Sequence, residues 1–501
     1  MMQLQKKYGF VILLFAPSVL LPMTGLANFE GDLAQYPSAI ERTAFADEVR
    51  GLVQSIVDKQ ERIPGQLATI RVKVSIPDEG SRITVDLGRG YVPSINGGEL
   101  EDLLHQINIH VYTLIESRAL TYDLEFRFER KRIDDYFDDD LPQFNGVGRA
   151  RLRRDVADAR LRVVVAAGHG KYYHRHFKKW LYQREEHNGI IEDAITPRFA
   201  WRLGRYLTMR SGVEVFRVRA DGVDRHGESG EYLSSLGARY YLQSILPDVP
   251  SIWNSFSSRD YGLVERDEDI RSRPFYANYL KADALIHIHT NASSSHVRGV
   301  RVYYYDGRST DRRLAENALC YMRESIHSVR SFQDFPVSLK PHPGDQGENK
   351  HATMPSIIAE VGFHTNAEDA NAIQHPLFQD AAMRGLEKGY RLFREGKGCD
   401  PFTVNFPDSK LISGSSVEVE IAVGGNPRYP IHYTTYVKEC TPGIICVASS
   451  GVFYSEDQRK VTHRSCNGAK KPFRMVWGVT ARDDDGVTAT TETSLVCQPR
   501  A

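Results

Sequence analysis

The chain has 501 residues, which is too long for one compact hydrophobic core, so about two to four domains are expected. Hydrophobic residues make up 41% and charged residues 26%, as is ordinary for soluble globular proteins. Lysine plus arginine and aspartate plus glutamate each number 64, so the net charge gives no support for binding to nucleic acid or to an anionic membrane.

The first 27 residues have the layout of a secretory signal peptide. Lys6 and Lys7 precede an apolar run, and small residues lead to an expected cleavage after Ala27. The alternative is a membrane anchor, which two prolines and the shortness of the apolar run disfavour. No later stretch is long and apolar enough to span a bilayer. We therefore expect an exported protein, periplasmic or secreted, with no transmembrane span in its mature form.

The six cysteines are typical of an oxidising compartment, where structural disulfides form. None belongs to a CxxC motif, so the pattern does not support a zinc ribbon or a thioredoxin-type redox site. At least one structural disulfide is expected, and the spacing leaves the pairing open. The cysteines are Cys320, Cys399, Cys440, Cys446, Cys466 and Cys497.

Residues 28–155 are predicted to form a small α/β domain of unknown role. Alternating apolar residues predict strands over 68–77 and 82–88. Apolar residues at helical spacing predict a helix over 97–117, and alternation returns in a closing strand over 122–130. This region contains no recognisable catalytic constellation.

Residues 160–397 alternate strands and helices, which predicts an α/β domain with an open, mainly parallel sheet and flanking helices. In such sheets the active residues gather at the carboxyl ends of the strands. His169, His289 and Glu360 all lie at or just beyond predicted strand ends.

The last part of the chain is predicted to be a separate all-β domain. Residues 398–414 have the composition of a linker, and residues 415–501 are expected to form a disulfide-containing, sandwich-like domain. Asp483–Gly486 is a hairpin-turn signal between the last two strands. The predicted strands are 416–423, 431–437, 443–449, 474–482 and 487–496.

The three strand-end residues suggest a hydrolytic metal site. Such a zinc site needs three protein ligands and one open position, and two histidines with one glutamate are a common set. A further carboxylate must take a proton from the attacking water and pass it to the leaving group. His169, His289 and Glu192, which begins the helix after the first strand, would be the ligands, and Glu360 the carboxylate. These positions are too far apart in sequence for spacing alone to identify the site.

The local contexts of these four residues carry a more specific signal. The chain resembles the zinc-dependent N-acetylmuramoyl-L-alanine amidases of bacterial cell walls over about 160–397. Four segments occur in the order and structural contexts of that family's motifs: VVVAAGHGK, IIEDAITPRFAWRL, ADALIHIHTNA and MPSIIAEVGFHTNAEDAN.

The resemblance assigns a role to each of the four residues. His169, Glu192 and His289 match the family's zinc ligands, and Glu360 matches its catalytic carboxylate. The implied cofactor is one Zn²⁺, and the implied reaction is hydrolysis of the amide between N-acetylmuramic acid and L-alanine of the peptidoglycan stem peptide. Such an enzyme serves in turnover, remodelling or lysis of the cell wall.

Other matches and departures bear on the surroundings of the site. Arg273 matches an arginine ahead of the family's ANxxKAD stretch and is expected to be structural, and Asn291 matches a motif asparagine without an assigned role. Lys171 replaces the second glycine of GHGG. His287 replaces the usual serine before the metal histidine, and a packed core histidine is favoured there over an accessory group of the site.

Residues 221–265 form an insertion relative to the compact form of the family. Long loops near active sites often act as lids or as partner-binding elements. We expect this insertion to cover or shape the cleft, and a surface excursion without function is the alternative. The flanking domains would bind wall polymer, bind an activator protein or hold the enzyme inactive.

Two other functions fit part of the pattern. One is a catalytically silent or autoinhibited relative that binds peptidoglycan or regulates other proteins, against which the retention of all four key residues speaks. The other is a different zinc amidohydrolase or carboxypeptidase on the same fold. Tyr172 stands where an HxxE motif from His169 would need glutamate, and no HExxH occurs.

A dense group of titratable residues also invites a metal assignment. His174, His176, Glu185 and His187 follow His169 closely in sequence. They fall between the first strand and the Glu192 helix, where solvated or substrate-facing side chains are expected rather than metal ligands.

Overall fold

A computed structural model describes residues 38–78, 81–137, 160–256, 259–458 and 460–500. The predicted signal peptide lies outside these residues. None of the helices in the described ranges has the length and apolar character needed to cross a membrane.

The N-terminal domain is a small α/β unit, as the alternating patterns predict. Its central strand β2 pairs antiparallel with β1 and parallel with β3. Apolar side chains at helical spacing on both helices pack against the sheet in one core. In chain order the elements are α1 (Ala39–Lys59), β1 (Lys73–Ser75), β2 (Arg82–Asp86), α2 (Gly98–Ser117) and β3 (Asp123–Arg127).

The central domain alternates strands and helices, as predicted. The first half contains β4 (Arg162–Ala167), β5 (Tyr172–His174), β6 (Lys179–Leu181), α3 (Glu192–Tyr206), β7 (Glu214–Arg217), α4 (Ala238–Ile245), α5 (Pro250–Trp253) and α6 (Val264–Leu280). The second half contains β8 (Ala284–Asn291), β9 (Arg301–Tyr304), α7 (Ser309–His327), β10 (His342–Pro343), α8 (Gly347–Lys350), β11 (Ser356–Phe363), α9 (Ala367–Gln374) and α10 (Pro376–Arg394).

Six of these strands form one sheet in the order β10-β9-β11-β8-β4-β7. The β9–β11 pair is antiparallel and the other pairs are parallel, so the mainly parallel sheet is confirmed. The two faces of the sheet are covered by separate apolar cores, one against α3, α7 and α10 and the other against α4 and α6. The central strands β4, β8 and β11 are therefore buried on both sides, and their carboxyl ends meet at one edge.

The insertion folds beside the loop that follows β4. Lys171 N donates to Ser235 O and Gly237 N donates to Lys171 O, both at 2.9 Å. The side chain of Lys171 also pairs with Glu231, at 2.7 Å. The insertion thus supports the backbone next to His169.

The C-terminal domain consists of β-strands. In chain order these are β12 (Thr403–Asn405), β13 (Ser409–Ile412), β14 (Ser415–Glu420), β15 (Ala422–Gly424), β16 (Ile431–Cys440), β17 (Ser450–Phe453), β18 (Val461–Cys466), β19 (Phe473–Arg482) and β20 (Thr488–Gln498). Five form a sheet in the order β13-β20-β19-β16-β17, while β14 pairs with β18 and β12 with β15. The predicted hairpin turn at Asp483–Gly486 joins β19 to β20.

Two predictions for this domain were wrong. The expected linker, 398–414, contains β12 and β13, which pair with β15 and β20 and so belong to the C-terminal domain. The expected strand at 443–449 is not a strand, because the Cys440–Cys446 disulfide closes a short loop whose backbone cannot extend along β16. The neighbouring strand β17 begins only at Ser450.

All six cysteines are paired in disulfides. Cys320–Cys399 links α7 to the segment entering the C-terminal domain, and Cys466–Cys497 links β18 to β20. The third disulfide closes the Cys440–Cys446 loop.

Candidate metal centre

The register of the central strands brings the predicted site residues together. Glu360 on β11 lies directly beside His289 on β8. On the other side of β8, Gly168 N donates to Ile288 O at 2.9 Å, which places His169 at the end of β4 close to His289.

The backbone around His169 is shaped by its neighbours. A Cβ at Gly168 would lie 2.3 Å from His289 Cε1, so only glycine leaves room for that imidazole. His169 itself has φ +59°, a left-handed conformation that is uncommon for a residue other than glycine. Such local strain persists where surrounding structure enforces it and is typical of functional sites.

Glu192 completes a cluster of three buried groups. It is the first residue of α3, and its Oε1 accepts a hydrogen bond from Thr290 N at 3.0 Å. The same oxygen lies 3.3 Å from His169 Nε2 and 3.0 Å from His289 Nδ1. The two imidazole nitrogens are 3.1 Å apart.

Hydrogen bonds on the far side of each imidazole fix which nitrogen carries the proton. Gln183 Nε2 donates to the Asp269 carboxylate at 2.9 Å, so Gln183 Oε1 must accept the proton of His169 Nδ1, at 3.1 Å. His289 Nε2 lies 2.9 Å from Glu348 Oε2 and donates to it. When both imidazoles are neutral, the lone pairs of His169 Nε2 and His289 Nδ1 therefore face each other and Glu192.

This arrangement fits a divalent cation. Three atoms that only accept hydrogen bonds converge, and such a cluster needs a proton or a metal ion between them. Two imidazoles and one carboxylate are a donor set that suits zinc. Without the metal, Glu348 and Glu192 outweigh burial and raise the pKa of His289 to about 10. When no metal is bound, the positive charge of protonated His289 takes the place of the cation beside Glu192.

A second cluster shares His289 but is less suited to a metal. It consists of His287, His289 and Glu348. Arg273 forms a buried ion pair with Glu348, and its positive charge opposes a cation at that position. Glu348 instead acts on the far nitrogen of His289, the arrangement that orients metal-binding histidines in many proteins.

Glu360 is buried beside the cluster without joining it. Burial raises the pKa of Glu360 to about 8, although His289 opposes the shift. Its Oε2 has no hydrogen-bond partner within the described ranges. A carboxyl group that titrates near neutral pH and has a free oxygen is equipped to accept and return a proton.

The remaining predicted residues lie around these groups. Arg273 is fully buried and pairs with Glu348 and Asp269. His287 is fully buried, with Nδ1 3.5 Å from Glu348 Oε2, and burial lowers its pKa to about 3. Asn291, at the end of β8, lines the same cavity as Glu360.

The dense titratable group that follows His169 does not contribute to the cluster. His174 packs against Phe177, with ring centroids 4.2 Å apart, and His176 and Glu185 are exposed. His187 stacks on His364. No member of the group joins the two possible metal clusters found among the described residues.

Several residues of the site could not be identified from the sequence. Gln183 and Glu348 orient the two imidazoles, yet neither lies in a motif and Glu348 sits in a one-turn helix. Helix α2 of the N-terminal domain also lines the cavity, through polar residues that include Asp102 and His105. Their spacing on one helix face is visible in the sequence, but the same pattern is typical of a solvated face.

Part of this chain is similar in sequence to known proteins. Residues 163–389 match the sequence model of the family described as N-acetylmuramoyl-L-alanine amidase. A germination-specific N-acetylmuramoyl-L-alanine amidase of Bacillus subtilis is 27% identical over 135 residues, which are 27% of this chain and 54% of that protein. The uncharacterised protein YqiI of the same organism is 24% identical over 143 residues, 26% of this chain and 63% of that protein. The chain thus spans about half to two thirds of these relatives.

Two amidases are among the solved structures that match part of this chain. The catalytic domain of CwlV, an N-acetylmuramoyl-L-alanine amidase from Bacillus (Paenibacillus) polymyxa, is 18% identical with a TM-score of 0.30, over 47% of this chain and 99% of that one. The CwlD amidase of Clostridioides difficile, solved with the GerS lipoprotein, is 14% identical with a TM-score of 0.33, over 47% and 100%.

Proposed function

We propose that the chain is a zinc-dependent amidase, because residues 163–389 match the model of the family described as N-acetylmuramoyl-L-alanine amidase. Its substrate is the amide between N-acetylmuramic acid and L-alanine in peptidoglycan. The observation that carries the proposal is the convergence of His169, Glu192 and His289 beside the buried carboxyl group of Glu360.

The chain's own residues supply the binding and proton-transfer parts of the reaction. His169, Glu192 and His289 would hold Zn²⁺, which when bound lowers the pKa of water and polarises a carbonyl group. Gln183 and Glu348 keep both imidazoles in the tautomer that binding requires.

Glu360 then acts as base and acid in turn. It takes a proton from the attacking water and delivers it to the departing amine of L-alanine, which would otherwise leave as a poor anionic group. Burial raises the pKa of Glu360 in the metal-free site, which favours uptake of the proton, and the positive charge of a bound cation would favour its release.

We also place the enzyme outside the cytoplasm. Three disulfides are typical of proteins that fold in an oxidising compartment. Peptidoglycan, the proposed substrate, lies in the same compartment, which agrees with the signal-peptide pattern at the start of the sequence.

The test is hydrolysis of purified peptidoglycan and of defined muropeptides by the full mature protein. We expect release of free stem peptides with zinc, loss of release after chelation and recovery when zinc is returned. Glu360→Ala should lower kcat by about 10²- to 10⁴-fold, the usual contribution of general acid–base catalysis.

Glu185→Ala removes an exposed glutamate of the same domain and serves as the matched control, with activity like that of the wild type. Stem-peptide release that survives chelation or the Glu360 substitution would contradict the mechanism. No release from any substrate by the zinc-loaded wild type would contradict the proposed function itself.

A further inference from the structure

One wall of the catalytic cavity comes from the N-terminal domain. The cavity has a volume of about 260 Å³, and its lining includes the metal cluster and Glu360. Helix α2 contributes residues that recur every three to four positions along one face, as expected for neighbours on a helix. These are Gly98, Glu101, Asp102, His105 and Gln106.

Helix α2 is fixed firmly against the central domain. Asp102 pairs with Arg184 at 2.7 Å and with Arg266 at 3.2 Å. Farther along the helix, the buried guanidinium of Arg301 donates to Ile109 O at 3.1 Å and to Thr113 Oγ1 at 2.8 Å. Separating the domains would strip a buried cation of these partners, so α2 is a lasting part of the site.

His105 reaches from this helix to the end of strand β8. Its Nε2 lies 3.1 Å from Asn291 Oδ1 and 4.0 Å from Glu360 Oε1. Its ring packs edge-on against Tyr303, with centroids 5.1 Å apart. The side chain is 23% exposed and is part of the cavity lining.

A backbone group determines the direction of the hydrogen bond between His105 and Asn291. Ala292 N, which can only donate, lies 3.1 Å from Asn291 Oδ1, so that atom is the amide oxygen. His105 Nε2 must therefore carry a proton and donate to the same oxygen. Burial lowers the pKa of His105 to about 4, which keeps the imidazole neutral with its lone pair on Nδ1.

These two hydrogen bonds hold the Asn291 carboxamide in one orientation. Its oxygen accepts from Ala292 and His105, and its Nδ2 has no hydrogen-bond partner in the part of the chain that the structure describes. Asn291 is only 2% exposed, so an unused donor there is costly unless a ligand completes it. The lining of the cavity includes both Asn291 and Glu360.

We propose that His105 is a positioning residue of the catalytic site, supplied by the N-terminal domain. It orients Asn291 so that the free NH₂ group can donate to the carbonyl oxygen of the substrate amide. This role rests on the proposed amidase function. It also gives the N-terminal domain a part in the reaction, in which it completes the site.

The first experiment compares steady-state kinetics of full-length variants on a defined muropeptide. His105→Ala should lower kcat by about 10- to 100-fold, as loss of an orienting partner usually does, while KM changes by less than about threefold. His105→Gln should recover most of kcat, because the amide Nε2 of glutamine can donate to the same oxygen. In an Asn291→Ala background, His105→Ala should lower kcat no further.

His110→Ala is the matched control on the same helix. His110 lies near Ser293 Oγ at 3.4 Å and is not part of the cavity lining, so the variant should keep wild-type kinetics. Equal kinetics of the two alanine variants, or no recovery with glutamine, would overturn the proposal. A rise in kcat with His105→Ala would also overturn it and would mean that α2 obstructs the cleft.

A second measurement does not depend on catalysis. In ¹⁵N spectra of histidine-labelled wild type, the signals that disappear in His105→Gln should belong to a neutral imidazole protonated at Nε2 between pH 6 and 8. An Nδ1-protonated or a charged imidazole would overturn the orienting role. If the wild type hydrolyses no muropeptide but shows this tautomer, the proposed function fails while the hydrogen-bond arrangement stands.

Discussion

The N-terminal and C-terminal domains both attach to the central domain through buried charges, but they meet different parts of it. Helix α2 contacts the edge of the sheet where the proposed catalytic groups lie, through Asp102 and His105. The C-terminal domain contacts helix α10, through Asp483 and Asp485 in the turn between β19 and β20.

The C-terminal contact is a compact cluster of opposite charges. Asp485 lies 2.8 Å from Arg391 and 2.6 Å from Arg210, and its side chain is 3% exposed. Lys388 lies 3.9 Å from Asp485 and 2.7 Å from Glu324. Burial opposes ionisation, yet the three cations hold the pKa of Asp485 below its usual value.

The difference between the two contacts indicates that the flanking domains have different roles. The N-terminal contact shares residues with the cavity, so substitutions there should change kcat and zinc affinity. The C-terminal contact shares none, so changes there should alter stability alone. The following predictions test that distinction, beginning with the largest expected effect.

Asp485→Ala should destabilise the protein by about 3 kcal/mol, because it leaves buried arginines without their partner. The measurement is the denaturant midpoint of the unfolding transition. Below that transition, kcat on a muropeptide and zinc affinity should equal those of the wild type.

Asp484→Ala changes the neighbouring residue of the same turn, whose side chain is 45% exposed. It should cost less than about 1 kcal/mol, as surface ion pairs do. A loss of kcat in folded Asp485→Ala would contradict the expected distinction between the two contacts, since it would show that the C-terminal contact affects the site.

Much of the central domain was predictable from its sequence. The strands β4, β8 and β11 are continuous apolar runs because they are buried on both faces, and that pattern is strong. The carboxyl-end rule then brought His169, His289 and Glu360 to one edge. Glu192 was included because it begins the helix after the first strand. That position carries little signal of its own, and the resemblance to the amidases made the assignment specific.

The rest depended on contacts between distant segments. The polar face of α2 looks like a solvated face until the central domain covers it, so His105 could not be singled out. We expected the insertion at 221–265 to cover or shape the cleft. Within its described residues it does not line the cavity but supports the loop after His169. Its role as a cover of the cleft stays a prediction, because loop length does not determine where a loop packs.

Zinc affinity is also expected to depend on pH. In the metal-free site Glu348 and Glu192 raise the pKa of His289 to about 10, so this imidazole is protonated at neutral pH. Zinc binding must displace that proton. Affinity should therefore rise about tenfold for each pH unit between 6 and 9, which is about 1.4 kcal/mol per unit.

Competition with a chromogenic chelator measures this dependence. Asp485→Ala should show the same slope and the same affinity as the wild type at temperatures where it is folded. A slope of zero would mean that His289 holds no proton in the free site, contrary to the geometry of its two carboxylate neighbours.

The smallest expected effect comes from the N-terminal contact itself. Asp102→Asn removes a charge whose side chain is 36% exposed, so the loss of stability should be about 0.5–1 kcal/mol. Arg184, the partner of Asp102, also lies 3.9 Å from Glu192 Oε2. Once Asp102 is neutral, the uncompensated guanidinium should make Glu192 a weaker ligand and reduce zinc affinity about two- to fivefold.

The matched control is Asp484→Asn, which removes a similarly exposed charge at the C-terminal contact and should leave zinc affinity unchanged. The same chelator competition at pH 7 compares the two variants directly. Equal affinities would remove the distinction between the two contacts, because the N-terminal charge would then be as remote from the metal as the C-terminal one. A weaker affinity in Asp102→Asn alone would place that N-terminal charge among the groups that tune the metal ligands.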